Sequence, residues 1–373
     1  MIYLLAALLI GSLVYCILVI VAVGKYLAAK PSGIPSPPPS ISILKPLAGL
    51  DHGLEENLIS FFEQDYPTFE LLFAFRSAED PAYPLVQRLC SDYPAVPSRI
   101  LLVGEPPWPN AKVWSLDQMM KAAAHDLLVM SDSDIRVDAR MLQVIAAEFA
   151  DPKLAVTTCP YRAVPGDSFW STLEAMGMNT EFLGGIVVAR MLEGMRFAVG
   201  PTIAARRSVI QSLGGWDRLR QYLAEDFVLG QFAAEGGHGV ALSSYVIEHR
   251  IGSESLKANA LHRIRWNRST RRSRPAGYLG QLFTNPVPIA LALILWAPWT
   301  WPALFVTLLI RAAAGYATAQ SILQDPLSRS RWFLIPVQDL VSFAFWVGGF
   351  FGNSIMWRGI RYRLLADGRF ERI

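Results

Sequence analysis

The chain is poor in cysteine and in charge. Its three cysteines, Cys16, Cys90 and Cys159, are odd in number and stand far apart among 373 residues. That excludes a disulfide framework and a cysteine-type metal site, and it suits a reducing compartment. Charged residues make up only 17% of the chain, against roughly 25% in ordinary soluble domains. The net charge of +3 is small and dispersed, so no nucleic-acid partner is expected. There is no internal repeat. From Met1 to Val23, "MIYLLAALLIGSLVYCILVIVAV", charge is missing altogether. A bilayer takes roughly 20 apolar residues to cross. The run is too long for a usual signal-peptide core, no basic stretch precedes it, and no small-x-small cleavage site follows. An uncleaved anchor is therefore expected. Lys25 and Lys30 flank it, and the positive-inside tendency puts that flank, with the middle of the chain, in the cytoplasm.

What is present begins with "KPSGIPSPPPS", Lys30 to Ser40, a proline-rich spacer expected to be extended. Apolar β-rich runs then alternate with helical patterns. "ISILKPL", "ELLFAF", "SRILLVG" and "DLLVMSD" read as strands; "GLEENLISFFEQ", "PAYPLVQRLCSDY" and "VWSLDQMMKAAAH" read as helices between them. Such alternation predicts an α/β fold with a mostly parallel, doubly covered sheet. Ligands of such sheets bind at the carboxyl ends of the strands.

Ser171 to Met195 is apolar and glycine-rich but interrupted by Glu174, Glu181, Arg190 and Glu193. A transmembrane span is not expected there; an interfacial or acceptor-facing helix pair and a plain core helix both fit. From Asn285 to about Ser321 the apolar run is too long for one span, and "WAPWTWP", Trp296 to Pro302, suits an interfacial turn. A two-helix hairpin is expected, with Arg311 an awkward guest in its second arm. A last apolar run covers Trp332 to Met356. Counting crossings puts the tail "WRGIRYRLLADGRFERI" opposite the middle domain, whereas its arginines favour the cytoplasm. Either one segment is re-entrant or the charge rule fails here. The expected layout is an anchor at 1–24, a linker at 25–40, a catalytic domain at 41–280, a membrane region at 281–357 and a basic tail at 358–373.

Three acidic places stand out. In "VMSDSDIRV", Asp132 and Asp134 follow an apolar strand. Oxygen ligands so placed suit Mg²⁺ or Mn²⁺, which bridges to a nucleotide diphosphate. The plain alternative is a solvated loop with two acids. In "YLAEDFVLGQ", Glu225 and Asp226 precede a helical pattern. They either favour a helix N-terminus or supply a general base for an acceptor hydroxyl. In "RSAEDPAYP", Asp80 follows the second strand. Asp before Pro is an ordinary turn signal, though its position also lets it meet a nucleotide base.

The stretch "HRIRWNRSTRRSRP" carries Arg263, Arg265, Arg268, Arg271, Arg272 and Arg274, with Trp266 among them. It reads as a juxtamembrane patch for anionic headgroups, or as the source of one arginine that grips a diphosphate through paired N–H donors. Trp266 is either an interfacial anchor or a flat wall for an acceptor.

Taken in order, Asp80, "DSD" at Asp132, "AED" at Asp226 and "RIRW" ending at Trp266 resemble the D, D, D, (Q/R)xxRW pattern of lipid-directed and processive family 2-type glycosyltransferases. The nearer resemblance is to the ceramide glucosyltransferase family, glycosyltransferase family 21, through "ILKPLAGLD", "FFEQDYP", "EDPA", "DSDIRV", "YLAEDF" and "WRGIRYRL". It runs from about Ile43 to Leu365. The segment "RSRPAGYLGQLF" is similar to a bacterial branch that acts on hopanoids. The resemblance implies a GT-A fold, Rossmann-like, on the cytoplasmic face of a bacterial inner membrane. It implies Asp80 on the uracil side of a UDP-sugar, Asp132 on the nucleotide, Asp134 on the metal, Asp226 as general base, and Arg265 and Trp266 at the diphosphate and acceptor. Two departures stand. His262 takes the place of Gln or Arg in the last motif, at the edge of the acceptor region. Ceramide glucosyltransferases often have Gly where Asp134 stands, so its metal role rests on the wider family 2 pattern.

The expected activity is inverting transfer of a hexose, N-acetylglucosamine or glucose, from a UDP-sugar to a hydroxyl of a membrane lipid, hopanoid or ceramide. The alternatives are a processive polysaccharide synthase, which needs a transmembrane channel that these few C-terminal segments are too little to build, and a membrane-anchored nucleotide-sugar binding protein without catalysis.

Overall fold

The computed structural model describes residues 1–29, 33–357 and 360–373. The start of the proline-rich spacer, with Lys30, and two residues of "WRGIRYRL" lie outside the described residues. The chain divides into two compact units, each built from separate segments. One comprises Met1–Ala29, Arg162–Gly194 and Ile251–Ile373; the other comprises Lys30–Tyr161 and Met195–Arg250.

The strands from Ile41 to Gly252 are, in chain order, β1 Ile41–Pro46, β2 Phe69–Phe75, β3 Ser98–Leu102, β4 Leu127–Ser131, β5 Ile135–Arg136, β6 Leu154–Thr158, β7 Tyr161–Pro165, β8 Thr202–Arg206, β9 Gly239–Leu242 and β10 Ile247–Gly252. Seven of them form one sheet in the order β3-β2-β1-β4-β8-β6-β9. β1 pairs in parallel with β2 and β4, β2 with β3, and β6 with β9. Only β8 runs against its neighbours, β4 and β6. The mostly parallel sheet is the one the alternation predicted. Helices Leu54–Phe62, Tyr83–Asp92 and Ala111–Ala122 follow β1, β2 and β3. Every residue of β2, "FELLFAF", is buried, because a strand covered on both faces has no solvent side for polar residues. Leu44, Leu72, Val113, Met119, Met130 and Val228 lie in one continuous core.

This topology fixes the functional edge. β1, β2 and β4 are parallel neighbours, so their carboxyl ends share one edge of the sheet. The antiparallel β8 starts at that edge, with Ser131 opposite Thr202. A short antiparallel pair sets Ile135 of β5 against His249 of β10.

The first unit holds the apolar helices. Among the described residues three helices are long and apolar enough to cross a membrane: Ile2–Ala28, Pro298–Ile322 and Trp332–Gly349. A fourth candidate, Pro275–Phe283 with Pro286–Trp296, is bent by 56°, the form of a broken span or a re-entrant segment. A re-entrant segment was one of the two resolutions left open by the charge of the tail. The expected hairpin is present. Its turn runs through Pro298–Thr300, and Trp296, Trp299 and Trp301 are exposed around it, as suits an interfacial aromatic belt. Arg311 is accommodated by Asp339 of the last apolar helix, with Nε 3.0 Å from Oδ1 and a second nitrogen 2.9 Å from it.

The last apolar helix ends at Gly349, not at Met356. Gly348 and Gly349 weaken it, and Gly352 turns the chain at φ 77°. Ser354–Trp357, Ile360–Leu364 and Phe370–Arg372 then pair as a small antiparallel sheet. Ser171 to Met195 is helical apart from its last two residues, through Phe169–Gly177, a π-helical stretch Met178–Phe182, and Leu183–Glu193. Its acids are satisfied within the unit. Glu181 accepts from Thr284 and Asn285 at 2.9 and 3.0 Å.

Candidate active site

In the second unit the acids gather around a lysine. Lys112 Nζ lies 2.7 Å from Asp132 Oδ1 and 3.0 Å from Glu225 Oε1. It is held there by the start of its own helix. Asn110 caps that helix, its Oδ1 accepting from the backbone N–H groups of Lys112 and Val113. The Asn110 amide nitrogen donates to the Tyr222 carbonyl at 2.9 Å and to Glu225 Oε2 at 3.2 Å. One asparagine thus ends the loop after β3 and orients the acid beside Asp226. Asp226 follows in the first turn of the helix Glu225–Glu235. A Cβ built on Gly200 would come within 2.8 Å of Asp226 Oδ2, so glycine there leaves room for the carboxylate. Pro46, Lys112, Ser131, Gly200, Glu225 and Asp226 line a common cleft.

The electrostatics follow from this crowding. Desolvation, then the neighbouring Glu225 charge, pushes the Asp226 carboxyl up to about 7, against the pull of Lys112. Burial drags the Lys112 ammonium down, but Asp132, Glu225 and Asp226 outweigh it and hold it above the usual lysine range. Desolvation raises Asp132, and Lys112 opposes the rise.

Asp134 has different company. Desolvation would raise its carboxyl, but His249, Lys45 and a backbone hydrogen bond together outweigh that and hold it below the usual range. His249 Nε2 is 3.1 Å from Asp134 Oδ2, while Asp134 Oδ1 is buried without a hydrogen-bond partner. A free carboxylate oxygen beside the loop fits a hard divalent cation. The residues therefore suit the Mg²⁺ or Mn²⁺ ion expected there.

The loop itself is braced from β1. Lys45 is fully buried, donates to the Asp132 carbonyl at 2.5 Å and stacks over Phe61 at 3.9 Å. Burial brings its ammonium down to about 7, although Asp132 and Asp134 resist. Ser133 Oγ bonds Asp51, and Asn57 donates to the Ser133 carbonyl at 3.3 Å. Asp80 follows β2 at the same edge. Its two oxygens accept from Gly49 N–H at 3.1 and 3.0 Å, and Oδ1 also accepts from Ala82 N–H at 2.9 Å. The turn role of Asp80 is thus present, and the same bonds tie it to the loop after β1 that carries Asp51.

His262, Arg265 and Trp266 belong to the first unit, on the helix Leu256–Ser273. His262 Nδ1 is 3.0 Å from Glu174 Oε1, and its ring lies 4.4 Å from that of Trp266. The basic stretch around them does something neither sequence reading foresaw. Arg268 and Arg271 donate to the carbonyls of Phe350, Phe351, Gly352 and Ser354. Arg271 and Arg272 also bond Asn353. Arginines thus hold the turn that follows the last apolar helix, taking up backbone carbonyls just past its end.

Lys112, Lys45 and His249 escaped the sequence reading. Lys112 had one legible signal, since a cation in the first turn of a helix opposes the helix dipole and calls for a partner. Lys45 and His249 sit inside strands and carried none.

A solved structure of a mannosyltransferase from Pyrobaculum calidifontis, in complex with GDP-Man and Mn²⁺, matches 94% of this chain and 99% of its own with a TM-score of 0.54 at 18% identity. With the sheet order, that likeness defines a GT-A fold carrying apolar helices. The chain belongs to glycosyl transferase family 21, whose family model matches residues 3–370. Among curated relatives, ceramide glucosyltransferase 1 of Caenorhabditis elegans is 32% identical over 210 residues, 56% of this chain and 44% of its own length. Ceramide glucosyltransferase 3 of the same organism is 31% identical over 231 residues, 61% of this chain and 50% of its own. The match spans about half the length of these two relatives. The ceramide glucosyltransferase of Pyricularia oryzae is 20% identical in an alignment that covers 95% of this chain and 92% of that one.

Proposed function

We propose that the chain is an inverting membrane glycosyltransferase that transfers N-acetylglucosamine or glucose from a UDP-sugar to the hydroxyl of a hopanoid or ceramide lipid. The observation that carries this reading is the set Asp132, Glu225 and Asp226 gathered on Lys112 at the carboxyl edge of the sheet. In this reading Asp226 takes the proton of the lipid hydroxyl as its oxygen attacks the anomeric carbon, and UDP leaves from the opposite face. A carboxyl raised to about 7 is a base matched to neutral pH. No acid is needed from the protein, because the diphosphate leaves as a stabilised anion. Asp80 meets the uracil side and Asp132 the nucleotide. Asp134 would hold the Mg²⁺ or Mn²⁺ ion, which supplies positive charge near the departing diphosphate. Arg265 donates to that diphosphate, and Trp266 and His262 meet the acceptor. A lipid acceptor stays in the bilayer, and a chain with membrane helices meets it there. The flanking lysine Lys25 supports a catalytic unit facing the cytoplasm.

The test is UDP release by the purified full chain in nanodiscs, with each UDP-sugar, with and without a ceramide or hopanoid alcohol. Release is expected to depend on the lipid, with the glycolipid product identified by mass spectrometry. Asp226→Asn is expected to lower turnover by roughly 10²- to 10⁴-fold, the usual worth of a general base, while UDP still binds. Equal release without lipid would remove the lipid acceptor, and full turnover in Asp226→Asn would remove the base.

A further inference from the structure

Glu174, Glu254 and His262 each bring one ligand atom to within 4.8 Å of the others. None belongs to the Asp-x-Asp pair or to the base helix. Glu174 lies on the helix Phe169–Gly177 and is 3% exposed. Glu254 stands just before the helix Leu256–Ser273, and His262 lies two turns into it. Glu174 is held from two sides. Asn259 Nδ2 donates to its Oε2 at 2.5 Å, and His262 Nδ1 lies 3.0 Å from its Oε1. Two oxygens in the same place have no hydrogen-bond partner: Glu254 Oε2 and Asn259 Oδ1. Asn259 is itself 1% exposed, and its amide is fixed by the bond to Glu174. Buried oxygens normally find a donor. A carboxylate oxygen and an amide oxygen left without donors beside a second buried carboxylate form a group that a cation relieves. Arg265 acts on Glu254 electrostatically, but Arg263 turns its guanidinium to Ser342 at 2.6 Å and over the Phe345 ring.

We propose that Glu174, Glu254 and His262, with the Asn259 carbonyl oxygen beside them, bind a transition-metal dication of the zinc type. One imidazole nitrogen and carboxylate oxygens are a usual zinc donor set, whereas Mg²⁺ prefers oxygen and water alone. The ion ties the helix Phe169–Gly177 to the first turns of the helix Leu256–Ser273, one turn ahead of Arg265 and Trp266. It also accounts for a histidine where the sequence pattern has Gln or Arg, since of the three only the imidazole is a common metal ligand.

The test uses the full chain in nanodiscs, stripped with a chelator and held in millimolar Mg²⁺ so that oxygen-only sites are filled. Zinc content is read by elemental mass spectrometry, and zinc affinity by competition with a chromophoric chelator. One zinc per chain is expected, retained in D134N and weakened in both E254Q and H262N by at least about ten-fold, the lower bound for disturbing a metal site. Cobalt added to D134N, which lacks the other candidate metal carboxylate, is expected to give the visible absorption bands of a mixed nitrogen–oxygen site. Zinc bound equally by E254Q and H262N would overturn the proposal, as would an unaltered chain that retains no zinc together with a D134N chain that shows no cobalt bands. If E254Q or H262N fails to fold, the cobalt spectrum of D134N decides.

Discussion

Lys112 stands in the first turn of its helix, where the helix dipole disfavours a cation. It stays because Asp132 and Glu225 pair with it at 2.7 and 3.0 Å. Desolvation and the Glu225 charge raise the Asp226 carboxyl, and together they outweigh the pull of Lys112 and leave it at about 7. A base works only when ionised, so turnover is expected to fall as pH drops through about 7. The two neighbours should move that limb in opposite directions. Glu225→Gln removes a negative charge, eases ionisation of Asp226 and shifts the acid limb to lower pH. Lys112→Gln removes the positive charge and shifts it to higher pH. The profile of kcat/KM against pH checks both, and a shift of the same sign in the two variants would sink the coupling. A purely structural role for Lys112 would lower turnover without moving the limb.

The helix Glu225–Glu235 places Asp226 by a close backbone approach. A Cβ at Gly230 would lie 2.2 Å from the Ala198 backbone nitrogen and 2.4 Å from the Phe197 carbonyl carbon. No side chain fits without moving one backbone off the other. Gly230→Ala is therefore expected to destabilise the chain by about 1–3 kcal/mol, the usual cost of overpacking, and to lower turnover by shifting Asp226 one turn away. Thermal unfolding beside kcat measures the two together; unchanged stability would mean the backbones are not in contact. Elements of this kind were legible in the sequence to different degrees. β1, β2 and β4 showed as continuous apolar runs because both faces of a parallel strand are covered. β8, "TIAAR", has small alanines and no such run, and its antiparallel direction left no trace. The helix from Ser171 stayed ambiguous because its acids find partners far along the chain: Glu174 with Asn259 and His262, Glu181 with Thr284 and Asn285. The three acidic places were legible because their loops follow recognisable strands or open a recognisable helix. Lys112, which gathers two of those places, was not, because its two partners lie 20 and 113 residues further along the chain.

At the scale of the whole chain, both units are discontinuous, and ordering them depends on contacts between distant segments. Arg311 and Asp339 are such a contact, 3% and 0% exposed in the unit of apolar helices. Removing one partner strands the other charge, so Arg311→Met or Asp339→Leu alone is expected to cost about 3–5 kcal/mol. The double variant should lose less than the sum, and additive losses in a nanodisc unfolding series would mean the pair is not coupled. Orientation is the remaining property of the whole, and the cysteines offer a probe of it. Cys16 and Cys159 are buried, whereas Cys90, in the unit with the acidic cleft, is half-exposed. Burial pushes the Cys90 thiol up, so labelling is run at mildly alkaline pH. With that unit in the cytoplasm, a membrane-impermeant maleimide leaves Cys90 unmodified in intact spheroplasts and modifies it in inverted vesicles. Cys90→Ser removes the signal. Equal modification in intact spheroplasts would put the acids on the far side of the bilayer, and the lysine flank of the first helix would then have oriented nothing.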